Sequence, residues 1–313
     1  MDTVIHTQAL TRTFGAVRAV DQLSLDVPQG IVFGFLGPNG SGKTTTIRLL
    51  LGLLEPIEGH ATVLGYDTRT QAGEIRQRTG ALLEQTGLYE RLSAEDNLEF
   101  YGRIAHMSAP NRQARIKELL GGLGLWDRRK EPIGSWSRGM KQKVAVARVL
   151  LHHPALIFLD EPTAGLDPVA AAALRDDLTR LVQSEGVTVF LTTHNLSEAE
   201  RLCQRVAVIR AGKLLAEGRP ADLRASGSGG LMHVEVYGRG FNEDIASQLK
   251  ARAEVVTLKQ QSDRIELDVR QGADVAPLVS LMVGAGVLVE EVRKGKPSLE
   301  DAFLDLMEDD EAQ

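Results

Sequence analysis

GPNGSGKT, Gly37 to Thr44, fits the pattern G-x-x-x-x-G-K-[ST] at every fixed position. Upstream lies IVFGFL, Ile31 to Leu36, a short apolar run that reads as a buried strand. Downstream, TTIRLLLGLL, Thr45 to Leu54, reads as a helix. Strand, glycine-rich turn and helix in that order are the context in which this pattern cradles phosphate. Glycines let successive N–H groups turn inward, and the helix adds the positive end of its dipole. The spacing wraps Gly37, Pro38, Asn39, Gly40, Ser41 and Gly42 around the phosphates, with Thr45 following. Lys43 is placed to reach the β- and γ-phosphates, and the Thr44 hydroxyl to ligate Mg²⁺. The expected ligand is a nucleoside triphosphate.

A second motif, ALIFLDEP, Ala155 to Pro162, is an apolar strand ending in two carboxylates. Asp160 is positioned to hold Mg²⁺ through water, and Glu161 to polarise an attacking water. Two acids after a strand, taken alone, read equally well as a solvated turn. Behind a phosphate loop, at the carboxyl edge of a parallel sheet, the catalytic reading is preferred.

The 313-residue length suits two domains, and 43% hydrophobic with 25% charged residues is ordinary for chains with a large core. A formal net charge of −6 gives no bulk attraction to nucleic acid, which is not an expected partner. Cys203 is the single cysteine, so no intrachain disulfide forms. The opening MDTVIHTQALTRTF lacks the layout of a secretory leader. No stretch approaches the roughly 18 to 20 apolar residues that cross a bilayer. If the chain works at a membrane, another protein must hold it there.

Up to residue 224 the chain alternates apolar runs with helical patterns, the mark of an α/β fold with a mainly parallel sheet. Val187 to Thr192 is a further buried-strand candidate. Val206 to Ile209 and Leu214 to Glu217 form a closing hairpin through Ala211, Gly212 and Lys213. Ala225 to Gly230, ASGSGG, reads as a linker. From 231 to 313 the pattern changes to a small α+β domain. Strands are expected at Met232 to Tyr237, Val255 to Lys259, Ile265 to Val269 and Val287 to Val292, with helices at Asn242 to Arg252 and Val275 to Val283. That β-α-β-β-α-β order is the ferredoxin-like arrangement. A last helix, Ser298 to Met307, places Leu299, Ala302, Phe303 and Leu306 on one face.

Between the two acidic and glycine-rich motifs lies SWSRGMKQKVAVARVLLHHP, with Ser137 as a helix N-cap and an apolar helix behind it. A plain cap would account for Ser137 alone. Its place shortly before the acidic strand resembles the ATP-binding cassette (ABC) family, whose signature sequence is usually LSGGQ. Other residues fall in the order this resemblance requires. Phe14 matches the aromatic that stacks on adenine, and Gln85 the glutamine that contacts Mg²⁺ or the attacking water. Asp167, in AGLDP, matches the aspartate that communicates across the dimer, and His194 the histidine that contacts the γ-phosphate. Ser137 and Gly139 keep the positions that approach a γ-phosphate, whereas Arg138 and Met140 depart from the usual signature.

The resemblance implies a P-loop ATPase with a RecA-like core, an antiparallel β subdomain and a helical subdomain. It implies ATP and Mg²⁺ as ligands, and two cassettes, identical or different, paired head to tail around ATP. It also implies a separate integral membrane permease, with this chain peripheral on the cytoplasmic side of the membrane. The stretch Leu88 to Ile104 and the tail GKPSLEDAFLDLME are similar to cassettes of ABC-2-type exporters. The rival is a non-transport ABC ATPase acting on a soluble macromolecular complex; such chains usually carry two cassettes or a long coiled-coil insertion. An ATPase assay combined with co-purification of a membrane protein separates the two.

Overall fold

In the computed structural model, residues 2–227, 231–270, 272–295, 299–300 and 302–303 are described. The chain divides into two units, Met1–Arg219 and Pro220–Gln313.

The first unit begins with β1 (Thr3–Phe14), β2 (Val17–Pro28), β3 (Val32–Leu36), α1 (Lys43–Leu50), β4 (Glu58–Val63) and β5 (Tyr66–Asp67). There follow α2 (Ala72–Arg78), β6 (Thr79–Leu82), α3 (Ala94–Ile104), α4 (Ala109–Gly122) and α5 (Arg138–Leu150). It ends with β7 (Leu156–Asp160), α6 (Pro168–Glu185), β8 (Thr188–Thr193), α7 (Leu196–Leu202), β9 (Arg205–Arg210) and β10 (Lys213–Gly218).

Two sheets result. One is antiparallel, in the order β2-β1-β4-β5; the other runs β10-β9-β3-β8-β7-β6. In the second sheet every pairing is parallel except the β9–β10 hairpin. The three continuous apolar runs expected as buried strands are its centre. Every residue of β3, β7 and β8 is buried, as parallel strands covered on both faces require. Phe190 ties them together, its ring 5.7 Å from Phe33, 5.3 Å from Phe35 and 5.7 Å from Phe158. Cys203 is buried, and desolvation raises its thiol pKa, so it stays protonated and unreactive. Among the described residues no helix is long and apolar enough to cross a membrane.

The second unit starts with α8 (Pro220–Gly227), so the Gly/Ser stretch read as a linker is helical as far as Gly227. Pro220 at the first helical position and Asp222 in the first turn favour that start. Residues 228–230 lie outside those described. Then come β11 (Leu231–Arg239), α9 (Glu243–Lys250), β12 (Val255–Gln260), β13 (Arg264–Arg270), α10 (Ala276–Gly284) and β14 (Leu288–Gly295). The sheet order β12-β13-β11-β14, antiparallel throughout, is the ferredoxin-like topology. Val234, Val236, Ile265, Leu267 and Val269 pack against Ile245, Leu249, Leu278 and Met282 of the helices. Of the expected last helix, Leu299 and Ala302 are buried; Ser298 and Leu306 lie outside the described residues.

Candidate active site

The sheet order dictates where chemistry collects. β8 lies between β3 and β7, with Leu36 opposite Thr193 and Asp160 opposite Thr192. The carboxyl ends of three parallel strands therefore open onto one edge, where ligands of α/β sheets bind. The loop leaving β3 returns as α1, whose N-cap is Gly42. Gly42 has φ +107, and a Cβ there would fall 2.1 Å from the Ala19 carbonyl oxygen. No other residue fits without displacing β2. The Gly212 N–H donates to Ser41 O at 3.0 Å, pinning the loop from the β9–β10 turn. The free N–H groups at the start of α1 thus face a fixed place for an anion.

Around that place the charged side chains form one connected set. Lys43 is buried, and its Nζ donates to Gly37 O at 2.8 Å and Pro38 O at 3.1 Å. The same ammonium pairs with Glu161 Oε1 at 3.3 Å, and Glu161 Oε2 meets His194 Nδ1 at 3.0 Å. Thr44 Oγ1 donates to Asp160 Oδ2 at 2.7 Å, while Thr192 Oγ1 donates to Asp160 Oδ1. Glu161 stands at φ +49, a left-handed conformation that costs a non-glycine residue about 1 kcal/mol or more. Its N–H donates to Thr192 O at 3.0 Å and lies 3.1 Å from Thr192 Oγ1, which holds the turn. Strain is thus kept where it aims a carboxylate at the cavity.

That cavity has a volume of about 450 Å³. Asn39, Gly40, Gly42, Lys43, Thr44 and Thr45 line it, together with Asp160 and Glu161. Ala19, Leu83, Glu84, Thr86, Arg138, Gln142 and Ala164 complete it. Thr44 Oγ1 and Asp160 Oδ2 are hard oxygen donors side by side, the type that suits Mg²⁺. Among the described residues no cluster of three or more His, Cys, Asp or Glu holds a metal alone. Phosphate oxygens and water would have to complete the coordination, which is how Mg²⁺ normally accompanies a nucleotide.

Several expected site residues do not line this cavity. Gly37, Pro38 and Ser41 form the loop's far side; a Cβ on Gly37 would fall 2.3 Å from Ile209 O. His194 reaches the set only through Glu161. Gln85 is exposed between Glu84 and Thr86, which do line it. Phe14 ends β1, is 45% exposed, and carries the Arg12 guanidinium 4.9 Å from its ring centroid. Ser137 caps α5 by accepting from Met140 N at 3.3 Å, with Gly139 in the first turn. Asp167 caps α6, accepting from Val169 N at 3.0 Å and Ala170 N at 2.9 Å. Within one chain these two are ordinary caps.

Thr192 joins the site only through the fold. Three threonines lie in β8, Thr188, Thr192 and Thr193, all buried, so the sequence alone does not single out Thr192. Gln142, whose Nε2 donates to Pro162 O at 2.6 Å, carries no signal either: only tertiary packing brings α5 beside that turn.

Residues 20–164 match the family model described as ABC transporter. The chain is 37% identical to the bacitracin transport ATP-binding protein of Bacillus licheniformis, over 98% of each chain. It is 36% identical to the daunorubicin/doxorubicin resistance ATP-binding protein of Streptomyces peucetius, covering 96% of this chain and 92% of that one. Among solved structures it is similar to a dimeric ATP-binding cassette in a post-hydrolysis state bound to ADP and Pi. There the TM-score is 0.62 at 26% identity, over 69% of this chain and 98% of the other.

Proposed function

Because the chain belongs to the ABC transporter family and is an ATP-binding ATPase of it, we propose that it powers an ABC-2-type exporter through a separate integral membrane permease. The observation that carries the reading is the connected set Lys43–Glu161–His194 beside Thr44–Asp160, at the edge where three parallel strands end. Full-length similarity to ATP-binding proteins for bacitracin transport and daunorubicin/doxorubicin resistance supports export as the direction.

In this reading Lys43 exchanges the Gly37 and Pro38 carbonyls for the β- and γ-phosphates, releasing Glu161 to take a proton from the attacking water. His194, on the other carboxylate oxygen, orients Glu161 and faces the γ-phosphate. Thr44 and Asp160 are the residues that would hold Mg²⁺, which when bound would supply positive charge beside the phosphates. Gln85 and the flanking Glu84 and Thr86 link that place to the permease-docking surface, and Phe14 stacks on adenine. Ser137, Gly139 and Asp167 act across the interface with a second cassette, either another copy or a different one. The N-terminus of α5 offers the partner's γ-phosphate favourable charge only while that phosphate is present. ATP then clamps two cassettes together, hydrolysis removes the clamp, and the chain sits peripherally on the cytoplasmic side of the membrane.

Affinity purification of the chain from membranes of its host is expected to recover an integral membrane protein and ATPase activity in one complex. Recovery only with soluble macromolecular assemblies would support the non-transport reading instead.

The second unit serves dimer support or permease assembly rather than ATP chemistry, since the cavity is built entirely from residues 19–164. A chain ending at Gly227 is expected to bind ATP with affinity within about twofold of the full chain. Its dimerisation or complex assembly is expected to weaken, read by sizing at high protein concentration. Loss of ATP affinity in a truncated chain that still folds would assign the second unit a part in the site.

A further inference from the structure

Phe14 ends β1 and faces Val17 across the β1–β2 hairpin, and both side chains are exposed. The register shifts by one between Arg12, opposite Val20, and Thr13, opposite Arg18, so Ala19 is the extra residue of a bulge. That bulge ties the hairpin to the phosphate loop. Ala19 lines the cavity, and its carbonyl is the atom that excludes a Cβ from Gly42. Val17 lies two residues before Ala19, about 7 Å along a strand, so the Phe14–Val17 pair stands at the rim of the cavity.

Arg12 precedes Phe14 by two positions on β1, the spacing that puts both side chains on one face. Its guanidinium carbon lies 4.9 Å from the Phe14 ring centroid, within reach of a cation–π contact. The side chain is anchored from behind: Nη1 donates to Glu55 O at 2.8 Å, in the segment between α1 and β4. Nε is buried and has no hydrogen-bond partner among the described residues. A buried donor without a partner is costly, and the negative face of the ring offsets part of that cost.

An exposed phenyl ring on its own needs no explanation. An exposed ring at the rim of an anion site, held by an anchored cation, is a different matter. The cation draws ring electron density toward itself and leaves the opposite face less negative, which favours stacking on the electron-rich face of a purine. Phe14 remains 45% exposed, so ring area is left for a flat ligand.

We propose that Arg12 acts through Phe14 as a positioning residue for the nucleobase, fixing and polarising the ring so that it stacks more tightly on a purine, with no contact to the phosphates. This rests on the reading of Phe14 as the stacking partner of adenine.

Calorimetric titration of the full chain with a non-hydrolysable ATP analogue and with inorganic tripolyphosphate separates the base from the phosphates. Arg12→Met is expected to weaken the ATP analogue about 3-fold and to leave tripolyphosphate unchanged, and Arg12→Lys, which keeps the charge, to retain most of the affinity. In a Phe14→Ala background Arg12→Met is expected to change neither ligand, a result that a purely structural role of Arg12 would not give. Equal weakening of both ligands, no weakening of the ATP analogue, or a loss that persists without Phe14 would overturn the inference. Phe14→Ala alone keeps the two readings apart. If it weakens the ATP analogue while Arg12→Met does not, only the Arg12 role fails; if it leaves the ratio of the two affinities unchanged, the stacking reading fails as well.

Discussion

Glu161→Gln is expected to bind ATP yet turn it over about 10² to 10⁴-fold more slowly, the span associated with a lost general base. The amide is nearly isosteric with the carboxylate. It can still meet Lys43 Nζ, 3.3 Å from Oε1, and His194 Nδ1, 3.0 Å from Oε2. What it loses is the capacity to take a proton. The backbone at residue 161 is held by the Thr192 carbonyl and hydroxyl, not by the side chain, so the left-handed turn survives the substitution. Because the ATP clamp forms and is not released, the variant is also expected to elute as an ATP-bound dimer at high protein concentration. Steady-state phosphate release and sizing with and without ATP check both parts. Wild-type turnover, or a monomer in ATP, would move the base role to another residue.

Lys43→Ala is expected to reduce nucleotide affinity by at least about 100-fold, since charge-assisted contacts to two phosphates disappear together. The substitution also leaves the Gly37 and Pro38 carbonyls and Glu161 Oε1 without their buried cation. A fluorescent-ATP titration measures the affinity, and a thermal melt without nucleotide separates lost binding from lost folding. The wild-type chain should gain thermal stability from added ATP and the variant should not. An affinity within about twofold of wild type would remove Lys43 from the phosphate site.

Much of this site was legible in the sequence because its parts are local. A glycine-rich loop works through the N–H groups of consecutive residues, so Gly37 to Thr44 states its own geometry. The strand that precedes it and the strand ending in Asp160 are continuous apolar runs because both faces are buried, and that too is written residue by residue. The second unit was readable for the same reason. Strict alternation in Ile265 to Val269 and the helical periods at Glu243 to Lys250 and Ala276 to Gly284 each announce one element, and their order leaves few topologies.

The linker at Ala225 to Gly230 misled because composition outweighed the helix start at Pro220, where proline and an early acid favour a first turn. Thr192 is not legible in the sequence because a threonine ending a strand carries no meaning until the strand's neighbours are known.

By itself the sequence determined the phosphate loop, the paired acids, the buried strands and the order of two units, all properties of contiguous residues. Only the tertiary structure decided that β8 lies between β3 and β7, bringing Thr192 to Asp160 and His194 to Glu161. The physical reason is that hydrogen bonds and ion pairs act over about 3 to 4 Å, whereas these partners are separated by 32 and 33 positions of chain. Local propensity cannot bridge that separation; parallel pairing of buried strands does.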